Sequence, residues 1–108
     1  MALLPKVSVV IPVYNTAPLL ARCLESVVRQ SLADIEIICV DDGSTDSSAT
    51  IVERIIAQYP DHNIRLVHQE NKGVSAARNR GISLATTDYV ALLDGDDCWL
   101  TGYIAEIC

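Results

Sequence analysis

Positive charge is scarce in this chain. Its 108 residues carry eight Lys and Arg against fourteen Asp and Glu, a formal net charge of -6. A general nucleic-acid binder needs a basic face against the phosphate backbone, so that class is excluded. A phosphate ligand is not excluded, provided a metal ion mediates. Metal-type cysteine spacing is missing as well. The four cysteines, Cys23, Cys39, Cys98 and Cys108, include no C-x-x-C pair, and no His/Cys cluster has zinc spacing. Cys23 and Cys39 stand inside apolar runs and read as buried free thiols, so nothing demands an oxidising compartment. No apolar run is long enough to span a bilayer. The opening stretch lacks a basic leader, and Pro5 and Lys6 interrupt it, which argues against a signal peptide. The expectation is a cytoplasmic chain, with peripheral contact at the inner face of the cell membrane left open. Finally, no G-x-G-x-x-G follows the first apolar run, where a dinucleotide-binding domain would carry it.

What is present is a core and an alternation. Half the residues are hydrophobic, which suits one small domain over residues 1–108. The β-branched run from Val7 to Ile11, halted by Pro12, reads as a buried strand. A helix follows, with Leu19, Leu20, Cys23, Leu24, Val27 and Val28 at helical spacing and Pro18 in its first turn. Ile35 to Val40 is apolar almost throughout, as a strand covered on both faces should be. "DDGSTDSS" is a turn, and Asp46 or Ser47 can cap a second helix carrying Ile51, Val52, Ile55, Ile56 and Tyr59. "IRLVHQ" predicts a third strand, "GVSAARNRGISLA" a helix weakened by Gly81, and "YVALLD" a fourth strand. Strands alternating with helices imply α/β architecture, a mainly parallel sheet with helices on both faces. The chain stops at "TGYIAEIC" with no further strand–helix pair, and a truncated piece of a longer protein is expected.

Carboxylates gather at the strand ends. Open parallel sheets bind ligands beyond the carboxyl ends of their strands. Three polar stretches fall there: "PVYN", "DDGSTD" and "DGDD". In a doubly wound order, strands one and four are neighbours and strand two flanks strand one, so the three stretches converge. Asp41, Asp42, Asp94, Asp96 and Asp97 in one cleft need a counter-charge, from Lys72, Arg78 and Arg80 or from a divalent cation. Mg²⁺ and Mn²⁺ take oxygen ligands and commonly combine one or two carboxylates with substrate phosphates. The acids would then hold a metal, and the metal a diphosphate. A lone Asp after a strand is more simply a turn or cap residue, and Asp41 and Asp46 are read that way. His62 and His68 read as surface residues.

"VSVVIPVYN", "IEIICVDDGSTDSS", "NKGVSAARNRG" and "DYVALLDGDD" occur in this order. Together they resemble glycosyltransferase family 2, inverting enzymes with the A-type, Rossmann-like nucleotide-sugar-binding fold. The resemblance covers about residues 6 to 100 and implies roles. Pro12, Val13, Tyr14 and Asn15 line the nucleobase pocket. Asp42 accepts from the base, usually uracil. Arg78 meets the diphosphate, Asp94 and Gly95 face the ribose or the metal shell, and Asp96, helped by Asp97, ligates Mg²⁺ or Mn²⁺ as the acidic DxD-type motif.

The implied reaction displaces a nucleoside diphosphate, UDP by expectation, from a sugar's anomeric carbon, with inversion and metal assistance. The acceptor hydroxyl belongs to a glycan, a lipid carrier or a protein, and bacterial envelope polysaccharide synthesis is the setting the resemblance suggests. The general base and the acceptor pocket are expected beyond Cys108. The chain departs from the family pattern at Thr101, where relatives place proline. The competing reading is a non-catalytic fragment that binds nucleotide at most. A phospho-receiver domain is rejected because its acids would follow strands one and three.

Overall fold

The computed structural model describes residues 7–29, 35–87 and 89–93. Seven elements alternate along them: β1 (Val7–Val13), α1 (Ala17–Val28), β2 (Ile35–Asp42), α2 (Ser48–Gln58), β3 (Asn63–Gln69), α3 (Val74–Leu84) and β4 (Tyr89–Leu92). All strand pairs are parallel, in the order β3-β2-β1-β4. Right-handed crossovers explain the layering. The β1–α1–β2 and β2–α2–β3 steps move one way, so α1 and α2 share a face. The β3–α3–β4 step returns across the sheet, so α3 covers the other.

The period of two along each strand sorts side chains between these layers. Val7, Val9, Ile11 and Val13 of β1 join Ile37 and Cys39 of β2 and pack on Leu20, Cys23, Leu24 and Val27 of α1 and Val52 and Ile55 of α2. The intervening Ile38 and Val40 turn to α3 and meet Ala77, with Leu84 and Ala85 beside them. At about 1.5–3 kcal/mol for each fully buried branched side chain, the α1/α2 face carries most of the apolar stabilisation. Cys23 and Cys39 are free and buried there, as expected. Burial first, and then the neighbouring Cys23, push the Cys39 thiol upward, leaving it un-ionised and inert.

The α3 face instead depends on close approach. Gly81 is buried, and a Cβ there would fall 2.3 Å from Val10 Cγ1. The glycine that weakens the helical pattern is therefore what lets α3 settle on β1.

Several expectations are corrected. Pro12 does not halt β1, which runs on to Val13 with Pro12 opposite Val40. The Val10 carbonyl accepts from Leu93 N–H, so the even-numbered backbone groups of β1 face β4. The last described pair with β4 is Val10–Leu92, so the N–H that Pro12 lacks falls past that ladder. Asp41 and Asp42 are not turn residues: they close β2, opposite His68 and Gln69. Leu19 is 45% exposed and lies outside the core stripe of α1.

The apolar β2 also hides a charge. Glu36 is buried with Ser8 opposite it, accepting from Ser8 Oγ at 2.8 Å, Thr86 N at 3.1 Å and Thr86 Oγ1 at 2.9 Å. Arg65 stands 3.6 Å from its other oxygen. Burial opposes ionisation here, but the Ser8 and Thr86 donors and the Arg65 charge outweigh it and hold the carboxyl below its ordinary range. Ser8 also shares a 2.7 Å hydrogen bond with Thr87, so the network pins the α3–β4 connection to the sheet. No described helix is long and apolar enough to cross a membrane.

Candidate functional site

Parallel strands end on one rim, and two loops meet there. In the first, Asn15 adopts a left-handed backbone, φ 49°, after which α1 starts at Ala17. Among non-glycine residues Asn tolerates this region best. In the second, Gly43 turns the chain out of β2 with φ 73° and packs against Asn71. Asp41 takes the turn's Ser44 N–H at 3.1 Å, the structural role expected of it, and meets His68 Nδ1 at 3.2 Å. His68 thus has a partner that linear spacing does not reveal.

The two loops are bonded to each other. Asn15 Oδ1 accepts from Thr45 N at 2.8 Å and Asp46 N at 3.3 Å, and Ser44 Oγ accepts from Asn15 N at 3.1 Å. Thr16 N–H donates to Ser48 Oγ, and Asp46 accepts from the Ala17 and Ser48 amides. Asp46 therefore serves the first turns of both α1 and α2, while Ser47 occupies the α2 cap position without a side-chain cap bond. The Ser48 hydroxyl, with the Ser48 and Ala17 N–H groups, holds the Asp46 carboxyl below its ordinary range.

Asp42 sits at the other side of the rim, turned toward α3. It is 3% exposed. Oδ1 accepts from Gln69 Nε2 and Lys72 N, both at 2.8 Å, and Oδ2 from Gly73 N at 2.9 Å. Burial pushes this carboxyl upward, but those three donors prevail and it is held low, hence ionised near neutrality. A carboxylate offers about four acceptor positions, so about one remains, on Oδ2. The three bonds also fix the loop that enters α3.

These elements enclose a cavity of about 420 Å³ lined by Pro12, Val13, Tyr14, Thr16, Asp42 and Asn71, and by Gly73, Val74, Ala77 and Arg78 of the α3 approach. This size lies within the range of small-molecule sites. Tyr14 is half exposed at the mouth. Arg78 is the one basic side chain on the wall among the described residues, and the first turn of α3 adds the positive end of its dipole. The cavity lining thus includes an aromatic residue, an ionised acceptor and a positive charge.

Of the sequence-based candidates, Pro12, Val13, Tyr14, Asp42 and Arg78 come together on this wall, and Asn15 does not: its amide is turned into the loop junction. Lys72 contributes its backbone to Asp42, and Arg80 is exposed. Thr16 and Asn71 were missed, while Gly73, Val74 and Ala77 belong to the "GVSAARNRG" stretch that the resemblance puts beside the donor. "NKG" before the third helix is the one signal that points to Asn71. The Thr16 hydroxyl is buried with no hydrogen-bond partner among the described residues. Asp94, Gly95, Asp96 and Asp97 lie outside the described residues. Among those described, no three of His, Cys, Asp and Glu could hold a metal ion. Asp41 and Asp42 are both engaged in internal hydrogen bonds.

A parallel α/β sheet with this cavity beyond its strand ends defines a nucleotide-binding class of fold. The comparisons narrow the class. The Glycosyl transferase family 2 model matches residues 8–107, and the chain belongs to that family. It is 45% identical over 95 residues to the uncharacterized glycosyltransferase EpsJ of Bacillus subtilis (strain 168), covering 88% of this chain and 27% of EpsJ. It superposes on S. aureus TarS 1-349 in complex with UDP with a TM-score of 0.82 and 26% identity, over 94% of this chain and 30% of that one. It superposes on the mannosyltransferase PcManGT of Pyrobaculum calidifontis, in complex with GDP-Man and Mn²⁺, with a TM-score of 0.84 and 34% identity, over 91% and 29%. The fold is the A-type glycosyltransferase fold of these neighbours. The chain spans under a third of the length of each.

Proposed function

We propose that residues 1–108 form the donor-binding domain of an inverting glycosyltransferase that takes a uridine-diphosphate sugar with Mg²⁺ or Mn²⁺. The observation that carries this is the convergence of Tyr14, Asp42 and Arg78 on one cavity wall. Tyr14 gives a base a flat apolar partner. Asp42 gives a ring N–H an ionised acceptor. Arg78 and the start of α3 give the diphosphate positive charge.

The choice of uridine rests on Asp42. The solved neighbours bind UDP in one case and GDP-Man in the other, so they do not choose between bases. With Oδ1 already accepting twice and Oδ2 once, the carboxylate has room for one more donor. Uracil presents a single imide N–H. Guanine presents two parallel donors, N1–H and the 2-amino group, and needs both oxygens. One guanine donor would go unpaired, at a cost of about 1–3 kcal/mol.

Asp96 and Asp97 are the residues we assign to the metal, with Asp94 and Gly95 beside the ribose or the metal shell. A bound divalent ion would supply Lewis-acid stabilisation of the departing diphosphate. The chain's own contribution is to hold the base and phosphates so that the anomeric carbon faces an acceptor hydroxyl on the side opposite the leaving group. The general base and the acceptor site, for a glycan, lipid-carrier or protein hydroxyl, fall to parts of a longer protein, at work on envelope polysaccharide in the cytoplasm or at the inner membrane face. Calorimetry with Mn²⁺ tests the donor reading. UDP should bind about tenfold or more tighter than GDP, following from that unpaired donor. Equal affinities, or no UDP heat from the folded chain, refute it.

A further inference from the structure

The side chain of Asn15 has no place on the cavity wall, yet it makes the densest set of contacts between the two loops at the rim. We infer that Asn15 is a positioning residue: by tying the β1–α1 loop to the β2–α2 loop it sets where Tyr14 stands at the cavity mouth. The nucleotide-binding consequence rests on the donor reading above; the positioning itself does not.

Three observations support it. First, Asn15 lies between Tyr14 and Thr16, and both neighbours line the cavity while Asn15 does not. Its backbone is left-handed, φ 49°. Second, Asn15 Oδ1 accepts from two backbone N–H groups, Thr45 N at 2.8 Å and Asp46 N at 3.3 Å, with Thr45 Oγ1 3.4 Å away. The two N–H groups fix the amide's orientation, since its NH₂ group could satisfy neither. Third, Asn15 N–H donates to Ser44 Oγ, and the following residues continue the seam through Thr16 N to Ser48 Oγ and Ala17 N to Asp46 Oδ2. The rest of the loop is thus anchored from its C-terminal side. Tyr14 is 48% exposed, so core packing alone does not hold it. Its place is inherited from Val13, buried at the end of β1, and from Asn15.

A pre-placed aromatic spares a ligand the cost of ordering it. Without the Asn15 amide, Tyr14 must be ordered at each binding event.

The experiment uses three variants of the chain. Asn15→Gly keeps the left-handed backbone accessible and removes the acceptor. Asn15→Asp keeps an acceptor oxygen. Tyr14→Ala removes the ring. In the absence of ligand, NMR should show Tyr14 ring resonances moving toward random-coil values in Asn15→Gly, with Thr45 and Asp46 amides exchanging about tenfold faster, and both returning toward wild type in Asn15→Asp. Unchanged Tyr14 ring resonances in Asn15→Gly overturn the inference, whatever the chain binds. With UDP and Mn²⁺, Asn15→Gly should weaken binding about tenfold, through the restored cost of ordering an aromatic and its loop. In the Tyr14→Ala background the same change should cost less than about twofold, because the ring it acts through is gone. A full tenfold loss in that background overturns the inference, since Asn15 would then act independently of Tyr14. If wild type binds no UDP, the donor reading fails, and the ligand-free NMR comparison still decides the role of Asn15.

Discussion

Replacing Gly81 by alanine tests the close approach of α3 to the sheet. The new Cβ would lie 2.3 Å from Val10 Cγ1, 3.1 Å from Cγ2 and 3.2 Å from Cβ. All three atoms belong to one β-branched side chain that is 0% exposed in β1, flanked by β2 and β4. Valine has a single stiff torsion, so its methyl groups cannot swing clear. Overpacking of this kind costs about 1–3 kcal/mol. Against it stands a helical gain of about 0.5–1 kcal/mol from replacing a mid-helix glycine. A 2.3 Å contact puts the overpacking in the upper part of its range, about 2–3 kcal/mol, so the net expectation is a loss of about 1–2 kcal/mol. Urea unfolding followed by circular dichroism reads it: the midpoint should fall by roughly 1 M at an m-value of about 1–2 kcal/mol/M. The cause is checked by Val10→Ala. Alone it should destabilise by about 2 kcal/mol, for two buried methyl groups and their cavity. Combined with Gly81→Ala it should cost at least about 1 kcal/mol less than the two separate losses added together, because the clash has been removed. A Gly81→Ala chain as stable as wild type, or strict additivity in the double variant, refutes the reasoning.

Other outcomes follow from the buried carboxylates and the site. Glu36→Gln keeps one oxygen for the Ser8 and Thr86 donors, which already share Oε2, but removes the charge that strengthens those bonds and turns an NH₂ group toward Arg65; it should destabilise by about 1–3 kcal/mol, read by the same urea unfolding. Glu36 and Asp42 are both held below their ordinary values of 4.5 and 3.8, so each stabilises the fold above those values. That stabilisation is lost as pH falls through the lowered folded-state values. The urea midpoint should therefore drop from pH 5 toward pH 2.5, less steeply in Glu36→Gln. Asp42→Asn should weaken UDP binding about tenfold or more in calorimetry, because it exchanges acceptor capacity for an NH₂ group facing donors. Chelating divalent metal with EDTA should weaken UDP binding sharply and leave uridine binding unchanged, since uridine has no diphosphate to bridge.

The alternation of strands and helices was legible because periods of two and 3.6 are written locally in Val7–Ile11, Ile35–Val40 and the Leu20–Cys23–Leu24–Val27 stripe. The neighbours of strand one follow only once a doubly wound order is assumed; the full order β3-β2-β1-β4 came from the structure, and crossover chirality then explains which face each helix covers. Tyr14, Asp42 and Arg78, which the family resemblance assigns to the donor, line one cavity wall at the strand ends. Asn15 was grouped with them by the family resemblance; its side-chain oxygen bonds the β2–α2 loop, and it is not among the residues lining the cavity. Glu36 was invisible within an apolar run because its partners are Ser8, 28 residues before it, and Thr86, 50 after it. Pro12 looked like a strand end because a missing N–H matters only where a partner strand expects it.

By itself, then, the sequence determined the element types, their parallel α/β alternation and the acidic character of the strand ends. Hydrophobic period and chain chirality are local properties, and they survive without knowledge of distant contacts. Tertiary structure alone decided which face Gly81 meets, which donors occupy the Asp42 oxygens, and that Asn15 joins two loops. Those outcomes depend on atoms brought within hydrogen-bonding or van der Waals range from tens of residues apart. Such forces act over a few ångströms of space and carry no trace in the spacing of the chain.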